Sequence, residues 1–260
     1  MPGHALAALA SYPELSFDST QTYKVSPTWG VFEQVFCPSE TTFKFFEGVM
    51  DEVVELFPSE YIHIGGDECP KTAWKNSAFC QQLIRQLGLK DDVTPSKVDG
   101  VKHSKQDKLQ SYFVTRMEKY LNDKGRNIIG WDEILEGGLA PNATVMSWRG
   151  VEGGLNAAKA GHNAIMTPMP YAYLDFYQED PAIAPTTIGG YTTLKKTYSY
   201  NPAPDDADEL VKKHVIGMQG NIWREYMKNS DRTDYQAFPR AMAIAETGWT
   251  LDANIMAGRD

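Results

Sequence analysis

The sequence has few cysteines, no excess of positive charge and no long apolar run. Three of its 260 residues are cysteine, the formal net charge is −9, and the pI is near 5.1. An acidic chain is a poor ligand for nucleic acid and for an anionic membrane surface. No apolar run approaches the roughly 20 residues that a membrane-spanning helix needs. We therefore expect neither a nucleic-acid partner nor a membrane partner.

The number and spacing of the three cysteines do not fit a disulfide framework or a metal site. Cys37, Cys69 and Cys80 are an odd number, and their spacing is not that of metal ligands. They predict neither a disulfide framework nor a metal site, and they leave the redox compartment open. The first residues lack the pattern of a signal peptide, although Met1 need not be the natural start of the protein.

Apolar and aromatic residues, in contrast, are plentiful. Hydrophobic residues make up 42% of the chain and aromatic residues 12%, with six tryptophans and thirteen tyrosines. This composition can build the core of one large α/β domain or of two small ones. Core packing is the ordinary use of so many aromatic side chains, and a sugar-binding cleft is the other use that they suit.

The most informative stretch is residues 61–69, Tyr-Ile-His-Ile-Gly-Gly-Asp-Glu-Cys. Its first four residues read as a buried strand. Neighbouring residues on a strand point to opposite faces, so Asp67 and Glu68 can serve one site only if the chain leaves β geometry there. Gly65 and Gly66 permit that change of direction. The alternative is an acidic turn that caps the next helix.

Short apolar stretches alternate with helical patterns along the whole chain. We predict five strands, near residues 62, 128, 145, 165 and 216. The clearest helix runs from about Phe43 to Phe57, where apolar residues recur every three or four positions and Pro58 follows. Each strand is followed by Trp, Tyr, Asp or Glu at or soon after its end. This alternation predicts an α/β fold with a parallel sheet or barrel, whose strand ends share one pocket.

Seven motifs, in order along nearly the whole chain, resemble glycoside hydrolase family 20, the β-N-acetylhexosaminidases. The sequence around these motifs is similar to that of Bacteroides-type bacterial members. The motifs are Met1–His4, Ile62–Cys69, Gly130–Glu133, Met146–Gly150, Tyr173–Asp175, Gln219–Glu225 and Ala245–Trp249. The resemblance implies a fold of the (β/α)8 TIM-barrel type. It also implies an exo-acting enzyme without a cofactor or a metal, periplasmic or secreted, whose partner is a glycan with a terminal N-acetylhexosamine.

The resemblance further implies a retaining reaction assisted by the substrate, in which the sugar's 2-acetamido oxygen attacks the anomeric carbon and forms an oxazolinium intermediate. This family is an exception to the usual scheme of an acid/base and a nucleophilic carboxylate. Glu68 would protonate the departing oxygen and then activate water. Asp67 would accept a hydrogen bond from the acetamido N–H, and Tyr173 would donate its hydroxyl to the acetamido carbonyl.

Six further residues are implied to bind the sugar or to support the site: His4, Trp131, Trp148, Asp175, Trp223 and Glu225. The three tryptophans would enclose the sugar, and the two carboxylates would accept hydrogen bonds from its hydroxyls, with Glu225 on the side of the 4- and 6-hydroxyls. His4 would belong to a polar relay near Glu68. The alternatives are core packing for each tryptophan and a turn for His4. Asp132 and Glu133 could cap the next helix and are left out of the catalytic set.

The chain also departs from the family pattern. The Met-Pro-Gly-His element normally ends the third barrel strand, so we expect a single catalytic domain over residues 1–260 that lacks about three strands. A missing N-terminal segment or a homo-oligomer would complete it. Many relatives also have a tryptophan before the glycines near Ile188-Gly189-Gly190, so stacking on the aglycone is in doubt.

Two other functions compete with hydrolysis of an N-acetylhexosaminide. An incomplete barrel could bind carbohydrate without catalysis. A metal-dependent hydrolase could use Asp67 and Glu68 as ligands, but it needs further ligands at the strand ends, where tryptophans stand instead. The adjacent carboxylates also favour family 20 over the family 18 chitinases, whose acidic motif spaces its carboxylates along the strand. The preference between GlcNAc and GalNAc is left open.

Overall fold

A computed structural model describes residues 1–204 and 206–250 of the chain. Its contacts divide the chain into two units, one from Met1 to Val145 and one from Met146 on. Of the helices in the described residues, none combines the length and the apolarity that crossing a membrane requires.

The first unit contains two strands, the start of a third, and five α-helices. The strands are β1 (Tyr61–His63), β2 (Asn127–Trp131) and β3 (Thr144–Ser147), whose last two residues belong to the second unit. The helices are α1 (Leu6–Ser11), α2 (Glu40–Leu56), α3 (Thr72–Asn76), α4 (Ala78–Gln86) and α5 (Lys105–Asn122), and Pro13–Leu15 and Asp132–Leu135 form 3-10 turns.

Helix α2 confirms the clearest helix expected from the sequence. The Ser39 hydroxyl accepts a hydrogen bond from the Thr42 amide at 3.3 Å and so caps the first turn. Phe43 on the apolar face of α2 is buried, and its ring centroid lies 4.9 Å from that of Phe113 on α5. This aromatic contact joins α2 and α5 and contributes to the core of the first unit.

Helix α5 begins with a capping box. The Ser104 hydroxyl accepts from the Asp107 amide at 3.2 Å, and the Asp107 carboxylate accepts from the Ser104 amide at 2.8 Å. This reciprocal capping box fixes where the helix begins.

Strands β1 and β2 pair in parallel, with Ile62 opposite Ile128, so a helical crossover connects them.

The second unit contains the rest of β3, two further strands and six helices in its described residues. The strands are β4 (Ala164–Met166) and β5 (Val215–Met218), which pair in parallel with a register shift between Ala164 and Ile165. The helices are α6 (Glu152–Lys159), α7 (Met169–Ala172), α8 (Leu194–Tyr198), α9 (Glu209–His214), α10 (Ser230–Ala237) and α11 (Arg240–Trp249).

The five strands follow one another in the sheet in the order β1-β2-β3-β4-β5. All five lie where the sequence predicted them, and helices separate successive strands, except that a 3-10 turn lies between β2 and β3. This order of strands and helices is that of part of a (β/α)8 barrel, which confirms the predicted fold class.

Candidate active site

The chain leaves β geometry directly after β1, at the turn that carries Asp67 and Glu68. Gly65 and Gly66 have φ values of 79° and 101°, and Glu68 has a φ of 43°. A positive φ is strained for a residue with a side chain, so Glu68 keeps this conformation only because its surroundings impose it. The turn places both carboxylates on the side that faces His4.

His4 contacts both carboxylates through one ring nitrogen. Its Nε2 lies 3.0 Å from Asp67 Oδ2 and 3.3 Å from Glu68 Oε2. The hydrogen bond to Asp67, together with the charges of both carboxylates, raises the pKa of His4 although partial burial opposes this. Burial pushes the pKa of Asp67 upwards, but the hydrogen bond and the charge of His4 outweigh it, and the pKa is lowered. The structure thus favours an ionised Asp67 beside a protonated His4.

The backbone of this turn is held from helix α5. The Gln110 side chain is buried and donates from Nε2 to the Gly66 carbonyl at 2.6 Å. Lys71 Nζ donates to Gln110 Oε1 at 2.6 Å and to the Cys69 carbonyl at 2.8 Å. Neither Gln110 nor Lys71 was predicted from the sequence, because a polar residue on a helix or in a turn is usually solvated, and its neighbours are known only after folding.

Glu133 also takes part in the turn, although the sequence predicted only a helix cap for it. Its Oε1 accepts a hydrogen bond from the Glu68 amide at 3.4 Å. Its place two residues after Trp131 in the Gly-Trp-Asp-Glu motif was the available signal. The backbone amide of Glu68 is therefore bound to a carboxylate that follows β2.

Trp131 ends β2 and lies next to the glycine turn. Its amide donates to the Gly65 carbonyl at 2.8 Å, and its ring centroid lies 4.9 Å from that of His63. The Nδ1 atom of His63 accepts a hydrogen bond from the Gly65 amide at 3.0 Å, and desolvation by its neighbours lowers the pKa of the ring. His63 thus contributes to the shape of the turn.

Two predicted site residues, Trp148 and Trp223, lie against a third, Tyr173, in the second unit. The Trp148 ring stacks at 24° with a centroid distance of 6.3 Å, and the Trp223 ring is tilted by 49° at 6.5 Å. Tyr173 is buried, whereas Trp223 is 42% exposed. An aromatic cluster with one exposed member provides an apolar surface of the kind on which a sugar ring stacks.

Asp175 lies two residues after Tyr173 and is 4% exposed. Burial raises its pKa to about 6, hydrogen bonds from the backbone amides of Asp175 and Trp223 oppose the shift, and the charge of Glu225 adds to it. Its Oδ1 has no hydrogen-bond partner among the residues that the structure describes. A buried carboxylate oxygen of this kind is suited to accept a hydroxyl donor.

His4, Asp67 and Glu68 are also a group of potential metal ligands. Each offers one atom, and the three atoms lie within 4.8 Å of one another. The hydrogen bond of His4 Nε2 with Asp67 and its ion-pair contact with Glu68 account for this arrangement without a cation.

A parallel α/β fold with paired carboxylates after one strand and aromatic residues after others has the composition of a carbohydrate-active enzyme site at the strand ends. The chain belongs to glycosyl hydrolase family 20: the model of that family's catalytic domain matches residues 1–252. This confirms the family expected from the motifs.

Individual relatives agree with the family. The chain is 49% identical over 252 residues to a β-hexosaminidase of Porphyromonas gingivalis, covering 96% of this chain and 30% of the relative. It is 33% identical to a β-hexosaminidase of Vibrio furnissii, covering 99% of this chain and 40% of the relative. The chain thus spans less than half the length of these curated relatives.

Solved structures match the fold as well. A β-N-acetylhexosaminidase crystal structure superposes with a TM-score of 0.81 at 28% identity, covering all of this chain and 54% of that one. An exo-β-N-acetylglucosaminidase of Vibrio harveyi, in complex with N-acetylglucosamine, superposes with a TM-score of 0.78 at 31% identity. This match covers 97% of this chain and 38% of that one.

Proposed function

We propose that this chain carries the chemistry of an exo-β-N-acetylhexosaminidase, which releases terminal β-linked GlcNAc or GalNAc from glycans with retention of configuration. The observation that carries the proposal is the turn after β1, where His4 Nε2 lies 3.0 Å from Asp67 and 3.3 Å from Glu68. Membership of family 20 supports the same reaction class. The location in the periplasm or outside the cell is part of this proposal and rests on family resemblance.

Glu68 is the general acid and base in this mechanism. Its side chain is 38% exposed, so solvent and a leaving group reach it. It protonates the glycosidic oxygen while the acetamido oxygen attacks the anomeric carbon, and it later takes a proton from the attacking water. The strained backbone at Glu68 and the Glu133 contact to its amide fix the direction from which the proton is delivered.

Asp67 orients the acetamido group. An ionised carboxylate accepts the acetamido N–H and stabilises the positive charge that develops as the oxazolinium ring forms. The protonated imidazole of His4 favours the ionised form of Asp67, because the contact lowers the pKa of Asp67. Tyr173 donates its hydroxyl to the acetamido oxygen, which holds that oxygen in position for attack.

The remaining residues bind the sugar. Trp131, Trp148 and Trp223 present aromatic surface to the acetamido group and the sugar ring. Asp175, which has a buried oxygen without a hydrogen-bond partner among the described residues, accepts a sugar hydroxyl. Glu225 accepts from the 4- and 6-hydroxyls.

Turnover of a chromogenic β-N-acetylglucosaminide tests the proposal. Glu68→Gln and Asp67→Asn should each lower kcat/KM by about 10²-fold or more, because each removes a group that acts in the transition state. Asp123→Asn, which removes an exposed carboxylate on the C-terminal side of α5, is the control and should leave turnover unchanged.

A substrate that carries a hydroxyl in place of the 2-acetamido group tests the mechanism. It should not be turned over, because it lacks the internal nucleophile. Equal turnover of the two substrates would contradict assistance by the substrate. If the chain itself is inactive, the same assay on a polypeptide as long as the relatives separates a need for further residues from a wrong assignment.

A further inference from the structure

Arg240 is a fully buried arginine at the start of helix α11, in the second unit. Its Nη1 donates to the carbonyls of Phe176 at 3.2 Å and Thr192 at 2.8 Å. Its Nη2 donates to the carbonyl of Leu174 and, at 2.7 Å, to that of Gln236. One guanidinium therefore holds four backbone carbonyls that come from three separate parts of the chain.

Two of these carbonyls, those of Leu174 and Phe176, flank Asp175. Leu174 also directly follows Tyr173. The neighbouring helix α10 adds a further contact, because Gln236 Nε2 donates to the Asp175 carbonyl at 2.9 Å. On the β5 side, the Leu174 amide donates to the Asn221 carbonyl at 2.7 Å. Residues 173–176 are thus fixed by the chain after β5 and by the side chains of two helices.

Burying a guanidinium costs free energy. Arg240 is fully buried, and its hydrogen-bond partners are backbone carbonyls and not an exposed carboxylate. Burial lowers the pKa of Arg240 to about 10, so the side chain is still protonated at neutral pH. Its planar fork of donors can reach several carbonyls at once, which a lysine ammonium on a flexible stem cannot reproduce. Arg240 is thus suited to hold a particular backbone geometry.

We propose that Arg240 is a positioning residue that, through the carbonyls of Leu174 and Phe176, fixes Tyr173 and Asp175 relative to the reacting sugar. This inference rests on the proposed function for its kinetic consequence. A displacement of about 1 Å in a group that orients the substrate can cost on the order of 10²-fold in rate. A purely structural arginine would instead affect stability without acting through Tyr173.

The test compares Arg240→Lys with Arg232→Lys. Arg232 on α10 is a matched control, because its Nη2 also donates to loop carbonyls, those of Pro185 at 2.8 Å and Thr186 at 3.0 Å, but none lies between residues 173 and 176. At a temperature where both variants are folded, Arg240→Lys should lower kcat/KM for the chromogenic substrate by about 30-fold or more, and Arg232→Lys by less than about 3-fold.

A double-mutant cycle distinguishes positioning from a general structural role. In a Tyr173→Phe background, Arg240→Lys should cost less than about 3-fold, because the group that it positions is already gone. Multiplicative losses would overturn the proposal, as would equal losses for the two arginine variants. Gln236→Leu removes a donor to the Asp175 carbonyl and leaves Arg240 in place, so it should cause a smaller loss of kcat/KM. This variant replaces Arg240→Lys in the cycle if Arg240→Lys does not fold.

Hydrogen exchange gives a result that does not depend on activity. Arg240→Lys should speed amide exchange in residues 173–177, and Arg232→Lys should not. If neither the wild-type chain nor a polypeptide as long as its relatives turns the substrate over, the proposed function is at fault, whereas unchanged exchange in residues 173–177 overturns the role of Arg240 itself.

Discussion

His4 and Asp67 are joined by a hydrogen bond of 3.0 Å between Nε2 and Oδ2, although 63 residues separate them in sequence. The contact raises the pKa of His4, with the charge of Glu68 adding to it, and it lowers the pKa of Asp67. Each residue therefore favours the charged form of the other. The contact weakens when a high pH deprotonates His4 and when a low pH protonates Asp67.

The first prediction concerns this pH dependence. The pKa of folded His4 lies above its ordinary 6.5, so its contribution to stability is complete below about pH 6.5 and is lost as the pH rises through the raised value. The pKa of folded Asp67 lies below its ordinary 3.8, so its contribution is present above about pH 3.8 and is lost as the pH falls through the lowered value.

His4→Gln should therefore destabilise the chain most between these limits, and the difference from wild type should shrink at alkaline pH. The His4 side chain is 45% exposed, so solvent screening keeps the difference under about 1 kcal/mol. Urea unfolding at about pH 6 and about pH 9 measures it. A difference of the same size at both values would contradict the assigned pKa direction.

The second prediction concerns Gly3, which packs against the turn of the two carboxylates. A Cβ at Gly3 would lie 2.8 Å from the Asp67 carbonyl oxygen, 3.0 Å from that of Glu68 and 3.2 Å from Cys69 Cα. These are backbone atoms, so Gly3→Ala must move the turn and should cost about 1–3 kcal/mol of stability. Turnover should fall by about 10-fold or more, because both carboxylates move with the backbone.

Gly48→Ala is the matched control for Gly3→Ala. Gly48 lies inside helix α2, and a Cβ there meets nothing within 4 Å. Alanine should stabilise this helix by up to about 1 kcal/mol and leave turnover unchanged. Thermal unfolding and the chromogenic assay measure both variants, and similar effects of the two substitutions would show that close packing at Gly3 does not matter.

The third prediction concerns Asp175, whose folded pKa of about 6 lies above its ordinary 3.8. Between these values the folded chain holds more protons than the unfolded chain, so stability falls as the pH rises. Ionised Asp175 then costs on the order of 3 kcal/mol above pH 6. Asp175→Asn should therefore stabilise the chain at about pH 8 relative to wild type, and change stability little at about pH 4.

Activity should move in the opposite direction from stability. If Asp175 accepts a sugar hydroxyl, Asp175→Asn should raise KM even though the variant is more stable at about pH 8. Denaturant unfolding at the two pH values and Michaelis kinetics check the two parts. Asp123→Asn controls for the loss of one negative charge, and a destabilised Asp175→Asn variant at about pH 8 would contradict the prediction.

The positions of the strands could be predicted because their apolar stretches are short and are followed by polar or aromatic residues. The turn at Gly65 and Gly66 could also be expected, since glycine adopts a positive φ without strain. The positive φ of Glu68 could not be predicted, because nothing local favours it. The residues that contact this turn, such as Gly3 and Glu133, are distant in sequence.

The supporting residues show the same division. Gln110 and Arg240 lie on helices, where a polar side chain usually faces solvent, yet both are buried and bound to backbone carbonyls of the candidate site. Their function depends on which carbonyls the fold brings within reach, and a single sequence does not contain that information. Glu133 was visible only as part of a motif and not as a partner of Glu68.

The sequence by itself determined the family, the order of strands and helices, and the residue types available at each strand end, because periodicity, glycine turns and motifs are local properties. Only the tertiary structure decided that His4 contacts both carboxylates, that burial raises the pKa of Asp175, and that buried side chains from α5 and α11 hold the functional segments. Those properties arise from distances between residues far apart in the chain and from exclusion of water, which exist only after folding.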